Sequence, residues 1–402
     1  MPSPPPAVCC LALLTASCLQ AQDSTLSPGY EHFYNLEYDQ AIADFTAVTD
    51  RNPADPSAWN HLAQAILFRA MYRSGALESE MVSGSNPFLR RAKVQIAPAE
   101  QASFFDAIGK AMQLSQARLN ENPDAPAGLG PIGVAYALRG NYNFLVRKAW
   151  VDALHDATDA RKAHKHLCDL DPDNIDAQLI PATYDYVTGS LPLGYRILGF
   201  IAGYHGDRNR GIRALQSVAQ NGHSSRADAE TILAAIYRRE RRAQDAIPLL
   251  EDLIRRFPRN YLLRFEIVQM QSDLGNKEQA LAEIDRIWEL QRTVAPGYQD
   301  LPPEKIDYLQ GNLLFWYDDL IQALDHLKKA AAKARDLDLN TAIMACMRLG
   351  QAYDLEGRRT LAIAAYRKAI ALAPQSEVGK ESRAYVMKPY RRRVEQAAVA
   401  GK

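Results

Sequence analysis

The sequence predicts an all-α chain built by repetition, about eight stacked helix pairs rather than one compact core. Three observations carry this. Apolar residues recur at the three-and-four spacing of amphipathic helices along almost the whole chain. Small residues return at fixed places within a unit of about 34 residues. A proline closes many of the units, where a second helix has to stop. With 402 residues, 47% of them hydrophobic, there is enough apolar material for a long array.

The last unit shows the register most clearly. Leu349 to Pro374 reads LGQAYDLEGRRTLAIAAYRKAIALAP. Gly350 stands at position 8, Tyr353 at 11, Gly357 at 15, Ala362 at 20, Tyr366 at 24, Ala369 at 27 and Pro374 at 32. A residue with no side chain, or only a methyl, lets two helices approach closely, and bulky residues plug the remaining gaps.

Carried backwards, the register sets out the other units in order. The first covers roughly 22 to 55, with Ala41, Phe45, Val48 and Pro53 in the second-helix positions. The second opens at Pro56 with Trp59, Leu62 and Ala63 and ends its second helix at Pro123. Unit three carries Ile132, Gly133 and Tyr136, then Ala160, His164, Leu167 and Pro172. Unit four begins near Ile175 and closes around Gly211 to Val218. Units five to seven follow with Leu233, Ala234, Leu250 and Pro258, then Gly275 and Ala280, then Gly311, Ala323, Leu327 and Ala330. Units two, three and four hold extra residues between their helices, at about 72–101, 140–150 and 188–205. Insertions at equivalent points of consecutive repeats are expected on one edge of the stack. After unit eight, 377–402 reads as a polar capping helix and tail, bent or broken at Pro389.

The unit resembles the tetratricopeptide repeat, and the likeness covers about nine tenths of the chain. It implies a right-handed α-solenoid (superhelix) in which the first helix of each unit lines a concave groove through positions 2, 5, 9 and 12. The expected groove residues are therefore Asn60, Gln64, Thr183, Tyr186, Arg238, Phe265, Gln269, Tyr308, Asn312, Trp316, Met347 and Gln351. Amides there satisfy an extended peptide backbone by donating and accepting at once. Tyr186, Phe265, Tyr308, Phe315, Trp316 and Met347 supply apolar pockets. Position 5 is never Lys or Arg, which argues against the carboxylate clamp of the cytosolic chaperone-tail binders. The whole layout resembles secreted repeat proteins of Gram-negative bacteria.

The N-terminus predicts export. Ala7 to Leu19 is too short to span a bilayer but fits a signal-peptide core, residues 1–21, although it holds no Lys or Arg. Cleavage after Ala21 is one expectation; lipidation at Cys18, in LTASC, is the other. The expected place is the periplasm or the outer membrane. The domain reading is 22–224 for the repeats with insertions, 225–376 for the regular repeats and 377–402 for the cap.

No catalytic, cofactor or metal site is expected. The chain lacks HExxH, GxSxG and both glycine-rich phosphate motifs. Gly199 to Gly211 is glycine-rich but has no Lys-Ser/Thr, and reads as a loop before a helix. Asp169 to Asp176 fails as a calcium loop because Asn174 stands where glycine is needed and Ile180 where a bidentate Glu belongs. His164 and Cys168 share a helical face, yet His164 falls on packing position 24. Cys168 and Cys346, beyond the leading segment, are too far apart in a stack to pair. Forty-seven basic residues balance forty-seven acidic ones, so no bulk charge favours nucleic acid. The arginines from Arg208 to Arg259 read as a solvated face. The function expected is a non-enzymatic scaffold binding a protein or peptide in the cell envelope. Alternatives are a lipid-anchored assembly factor for outer-membrane or pilus components, or an unrecognised enzyme formed by the insertions. A small-molecule ligand is not expected.

Overall fold

The computed structural model describes residues 27–77, 93–191 and 205–392. The signal segment, Cys18, half of the first insertion and most of the third lie outside the described residues. Within the described residues the chain is all-α, with seventeen α-helices. They fall into two compact units, 27–71 with 93–239, and 240–392 with 72–77.

In the first unit α1 (Ser27–Tyr34) packs on α2 (Tyr38–Arg51), and α3 spans Pro56–Arg73. Then come α4 (Pro98–Glu121), α5 (Pro126–Tyr142), α6 (Trp150–Leu170), α7 (Leu179–Gly189), α8 (Arg208–Asn221) and α9 (Arg226–Arg239), each packed on the next. Side chains tie α3 to three other helices. Phe33 of α1 meets Phe68 at 5.1 Å between ring centres. Arg69 pairs with Glu100 of α4 at 2.6 Å, and Asn60 donates to the Pro131 carbonyl of α5 at 2.8 Å.

In the second unit the order is α10 (Ala243–Arg256), α11 (Tyr261–Asp273), α12 (Lys277–Arg292), α13 (Pro303–Trp316), α14 (Leu320–Ala332), α15 (Leu339–Leu355), α16 (Arg359–Leu372) and α17 (Glu377–Met387). Each packs on its successor, and α13 also touches α15. The connector between α12 and α13 is not slack: Tyr298 and Leu301 are buried, and Arg264 donates to the Tyr298 hydroxyl at 3.0 Å.

The packing repeats one contact. A Cβ built on Gly350 would lie 2.5 Å from the Tyr366 ring, and one on Gly29 2.5 Å from the Phe45 ring. The same substitution on Gly311 would fall 2.8 Å from Leu327, and on Gly133 it would enter the His164 ring. In register terms position 8 surrenders its side chain so that position 24 can be large. Tyr366, Phe45, Leu327 and His164 are accordingly buried. Unit four reverses the arrangement, with Gly211 at position 20 against the backbone of Ala182 and Tyr186.

A second recurrence lies in the turn at position 15. Gly357 and Gly275 adopt φ of 71° and 82°, and the equivalent Leu36, Arg241 and Asp318 adopt 66°, 56° and 65°. The next amide reaches back five residues to close the helix end, from Arg358 to Tyr353 O at 2.8 Å and from Asp319 to Leu314 O at 3.0 Å. This is a Schellman closure. Glycine meets it without steric strain, and the three L-residues hold it against their own preference.

The insertions take different forms. Residues 140–150 form no loop: α5 runs on to Tyr142, continues as a π-helical turn over Asn143–Arg147, and reverses at Lys148 with φ of 57°. Phe144 and Leu145 are buried there, so this insertion adds to the core. Pro131 inside α5 removes the amide that would bond the Ala127 carbonyl, and Arg118 donates to that oxygen instead at 3.0 Å. Helix α17 ends at Met387, two residues before the Pro389 at which the sequence reading bends or breaks the cap; residues 393–402 lie outside the described residues.

The position 8 contact yields a direct test. Gly350→Leu should overpack the Tyr366 ring and cost about 1–3 kcal/mol, read as a lowered melting temperature.

His164 yields another. Its ring nitrogens lie 3.2 Å from Ala177 O and 3.1 Å from Gly130 O, and burial lowers its pKa to about 4. His61, also buried, is lowered to about 4 in the same way. A folded pKa below the unfolded value of 6.5 means that the unfolded chain binds the proton first. Stability is then complete above pH 6.5 and falls as pH drops toward 4, by about 2 kcal/mol per histidine at pH 5. His164→Leu, which copies Leu327 in the same register position, should flatten the decline between pH 7 and 5 in urea melts.

Candidate functional site

Helices α13 and α15 are first helices of units seven and eight, and their side chains meet around Arg348. Its Nε donates to Asn312 Oδ1 at 2.8 Å and its Nη1 to Gln351 Oε1 at 2.7 Å. The guanidinium carbon lies 4.6 Å from the ring centres of both Phe315 and Trp316. Among the described residues no carboxylate pairs with it. A buried cation is thus held by two neutral amide oxygens and two aromatic faces, a geometry that suits a planar guanidinium better than an ammonium group.

Asp354, one helical turn beyond Gln351 on α15, forms the second centre. Its carboxylate is buried and accepts from Arg359 Nη1 at 2.9 and 3.1 Å and from the Tyr366 hydroxyl at 2.8 Å. Burial, and then the bond to Asp354, push the Tyr366 phenol well above its ordinary range, so it stays a neutral donor. The backbone amide of Tyr390 donates to the same carboxylate at 2.8 Å. Tyr308 and Met347 belong to the surrounding apolar cluster with Phe315, Tyr353 and Tyr366.

Of the expected groove residues, Tyr308, Asn312, Trp316, Met347 and Gln351 are therefore brought together. Phe265 is buried on α11 against Tyr261, and Gln269 is half-buried one turn further on. Asn60, Gln64, Thr183, Tyr186 and Arg238 belong to the first unit and are buried. The Thr183 hydroxyl is already engaged with Leu179 O at 2.8 Å, and Asn60 with Pro131 O. Sequence reasoning missed Arg348, which stands at position 6, one residue outside the positions read for the groove. It also missed Asp354, although that residue occupies position 12. The signal was available in the unusual charge of both positions on apolar helices.

The rejected chemical motifs have structural roles. Asp176 accepts from the backbone amides of His223 and Ser225, each at 3.0 Å, ahead of α9. Asn174 caps the short turn Ile175–Gln178. Among the described residues no three His, Cys, Asp or Glu side chains converge to hold a metal ion. Cys168 and Cys346 are free thiols, both pushed up to about 11 by burial, which suppresses the reactive thiolate. In the arginine cluster Arg210 pairs with Asp185 at 2.7 Å, Arg242 with Asp245 at 2.6 Å and Arg255 with Asp252 at 2.7 Å. No helix among the described residues is long and apolar enough to cross a membrane.

Comparison with known proteins follows the helix pairs. Three segments, 29–70, 237–301 and 345–376, match tetratricopeptide repeat family models. No curated protein matches the sequence. Among solved structures, the human IFIT1 dimer with m7Gppp-AAAA is similar at 15% identity and a TM-score of 0.45, covering 98% of this chain and 89% of that one. Yeast Tom70 is similar at 14% identity and a TM-score of 0.38, covering 90% and 94%. The matched segments overlie α1–α3, α10–α12 and α15–α16, within an all-α run of consecutively packed helices.

Proposed function

We propose that the chain is a non-enzymatic scaffold that binds a protein partner as an extended peptide along α13 and α15. Tetratricopeptide repeat proteins generally bind protein partners, and the reading for this chain rests on one observation. Arg348 locks Asn312, Gln351, Phe315 and Trp316 into a single preorganised face. Preorganisation lowers the ordering cost of binding, and aromatic side chains usually carry much of an interface's energy. Asn312, Gln351 and Phe315 are themselves buried, so the partner is met by the half-buried Trp316 ring and by backbone groups that these side chains hold in place.

Panning a displayed random peptide library on the full chain tests this. Trp316→Ala should weaken the enriched peptides by about 1–3 kcal/mol without unfolding the protein. Asn312→Ala should in addition lower stability by about 1–3 kcal/mol, since it strips a buried guanidinium of an acceptor. Enriched peptides indifferent to Trp316 would place binding elsewhere.

Export into the bacterial cell envelope is part of the same proposal. It is supported by the apolar run Ala7 to Leu19 and the Leu19-Gln20-Ala21 cleavage sequence that ends it. A lipid-anchored assembly factor, held by Cys18, is the variant that the LTASC sequence favours. Intact mass of the protein from cell-envelope fractions should show a start at Gln22 or a lipidated Cys18. A chain still beginning at Met1 would refute both.

A further inference from the structure

Residues 388–392, directly after α17, do not continue the helix. Lys388 is extended, with φ of −133° and ψ of 126°, as the residue before a proline prefers. Arg359 donates to the carbonyls of Tyr385 and Val386 at 2.7 and 2.6 Å, which closes the helix and sets the direction of the chain. From there the segment Lys388 to Arg392 crosses back over α15 to the end of α13, passing the repeat that α17 already covers.

Its contacts are of three kinds. The Tyr390 amide donates to Asp354. The Tyr390 ring is buried, 6.1 Å from Phe315 and 5.4 Å from Tyr385. The Arg392 guanidinium donates to the carbonyls of Phe315 and Trp316, pairs with Asp318 at 3.0 Å and lies 5.1 Å from the Phe315 ring centre. Those carbonyls belong to the last turn of α13, where the helix dipole favours a cation; that of Phe315 also accepts from the Asp318 amide at 3.2 Å. Backbone capture, an aromatic anchor and a cation at a helix end are the means by which a groove reads an extended peptide.

We propose that Lys388 to Arg392 occupies a ligand site in cis. The site recognises an extended partner peptide in which an aromatic residue is followed two positions later by arginine, and the tail competes with that partner. The inference rests on the peptide-binding reading of α13 and α15 and adds its sequence preference and its internal competitor. A tethered competitor acts at a high effective concentration, so only the fraction of molecules with the tail released binds in trans.

The test uses the full chain and a fluorescein-labelled synthetic peptide with the sequence of residues 386–392, read by fluorescence anisotropy. Tyr390→Ala/Arg392→Ala in the protein should tighten peptide binding about tenfold or more over the wild type. The peptide carrying the same two substitutions should bind neither protein. Arg392→Ala alone, which leaves the Tyr390 ring in place, should tighten binding about threefold and serves if the double variant loses stability. Equal affinity for wild-type and tail-substituted proteins overturns the inference, as does wild-type protein found by light scattering to be a dimer that exchanges tails. If library peptides still depend on Trp316 in that case, the groove reading stands and only the tail assignment fails. Failure of both the library and the labelled peptide overturns the two together.

Discussion

Two helices of one repeat can lie close only where one of them gives up its side chain. In this protein that place is position 8, and what fills it is the residue sixteen positions of register later: Tyr366 on Gly350, Leu327 on Gly311, Phe45 on Gly29, His164 on Gly133. The partner changes from aromatic to aliphatic to imidazole, so the contact specifies a volume rather than a chemistry. Everything downstream depends on it. The axis separation it permits sets the spacing of consecutive first helices, and that spacing lets Arg348 of α15 reach Asn312 of α13.

The candidate site joins this packing to its polar chemistry through Tyr366. Its ring plugs the position 8 gap and its hydroxyl donates to Asp354, the carboxylate that also receives Arg359 and the Tyr390 amide. One side chain thus serves the core with its ring and the site with its oxygen. The polar network is buried and mostly satisfied by its own members, which favours a fixed geometry over an adaptable one.

The same economy appears in the turns. Position 15 needs a left-handed residue in at least five repeats, yet glycine stands there only twice. Leu36 and Asp318 adopt the strained conformation because the amide that follows must reach a carbonyl five residues back, and packing on both flanks fixes the two helix ends. At Asp318 the strained residue is also put to use, as the acidic partner of Arg392.

Much of this was legible in the sequence because it is local. Helical period, the small residues at positions 8 and 20, the large residues at 24 and the turn glycines all follow from which residues a short helix pair can accommodate, and the pairs recur where the register puts them. His164 could be assigned to packing rather than to a metal on register alone. What the sequence did not reveal depends on contacts between residues far apart along the chain. Of the expected amides, Asn312 and Gln351 are clamped on Arg348, because a buried guanidinium takes the nearest acceptors whatever position they hold in a repeat. The insertion at 140–150 became a π-helical continuation, since burying Phe144 and Leu145 outweighs the regular α-helical ladder. Residues 388–392 do not continue the helix. Proline ended α17, a fact that sequence determines; but the path back to Asp354 and Asp318 was decided by carboxylates and helix-end carbonyls that only the packed helices bring into one place.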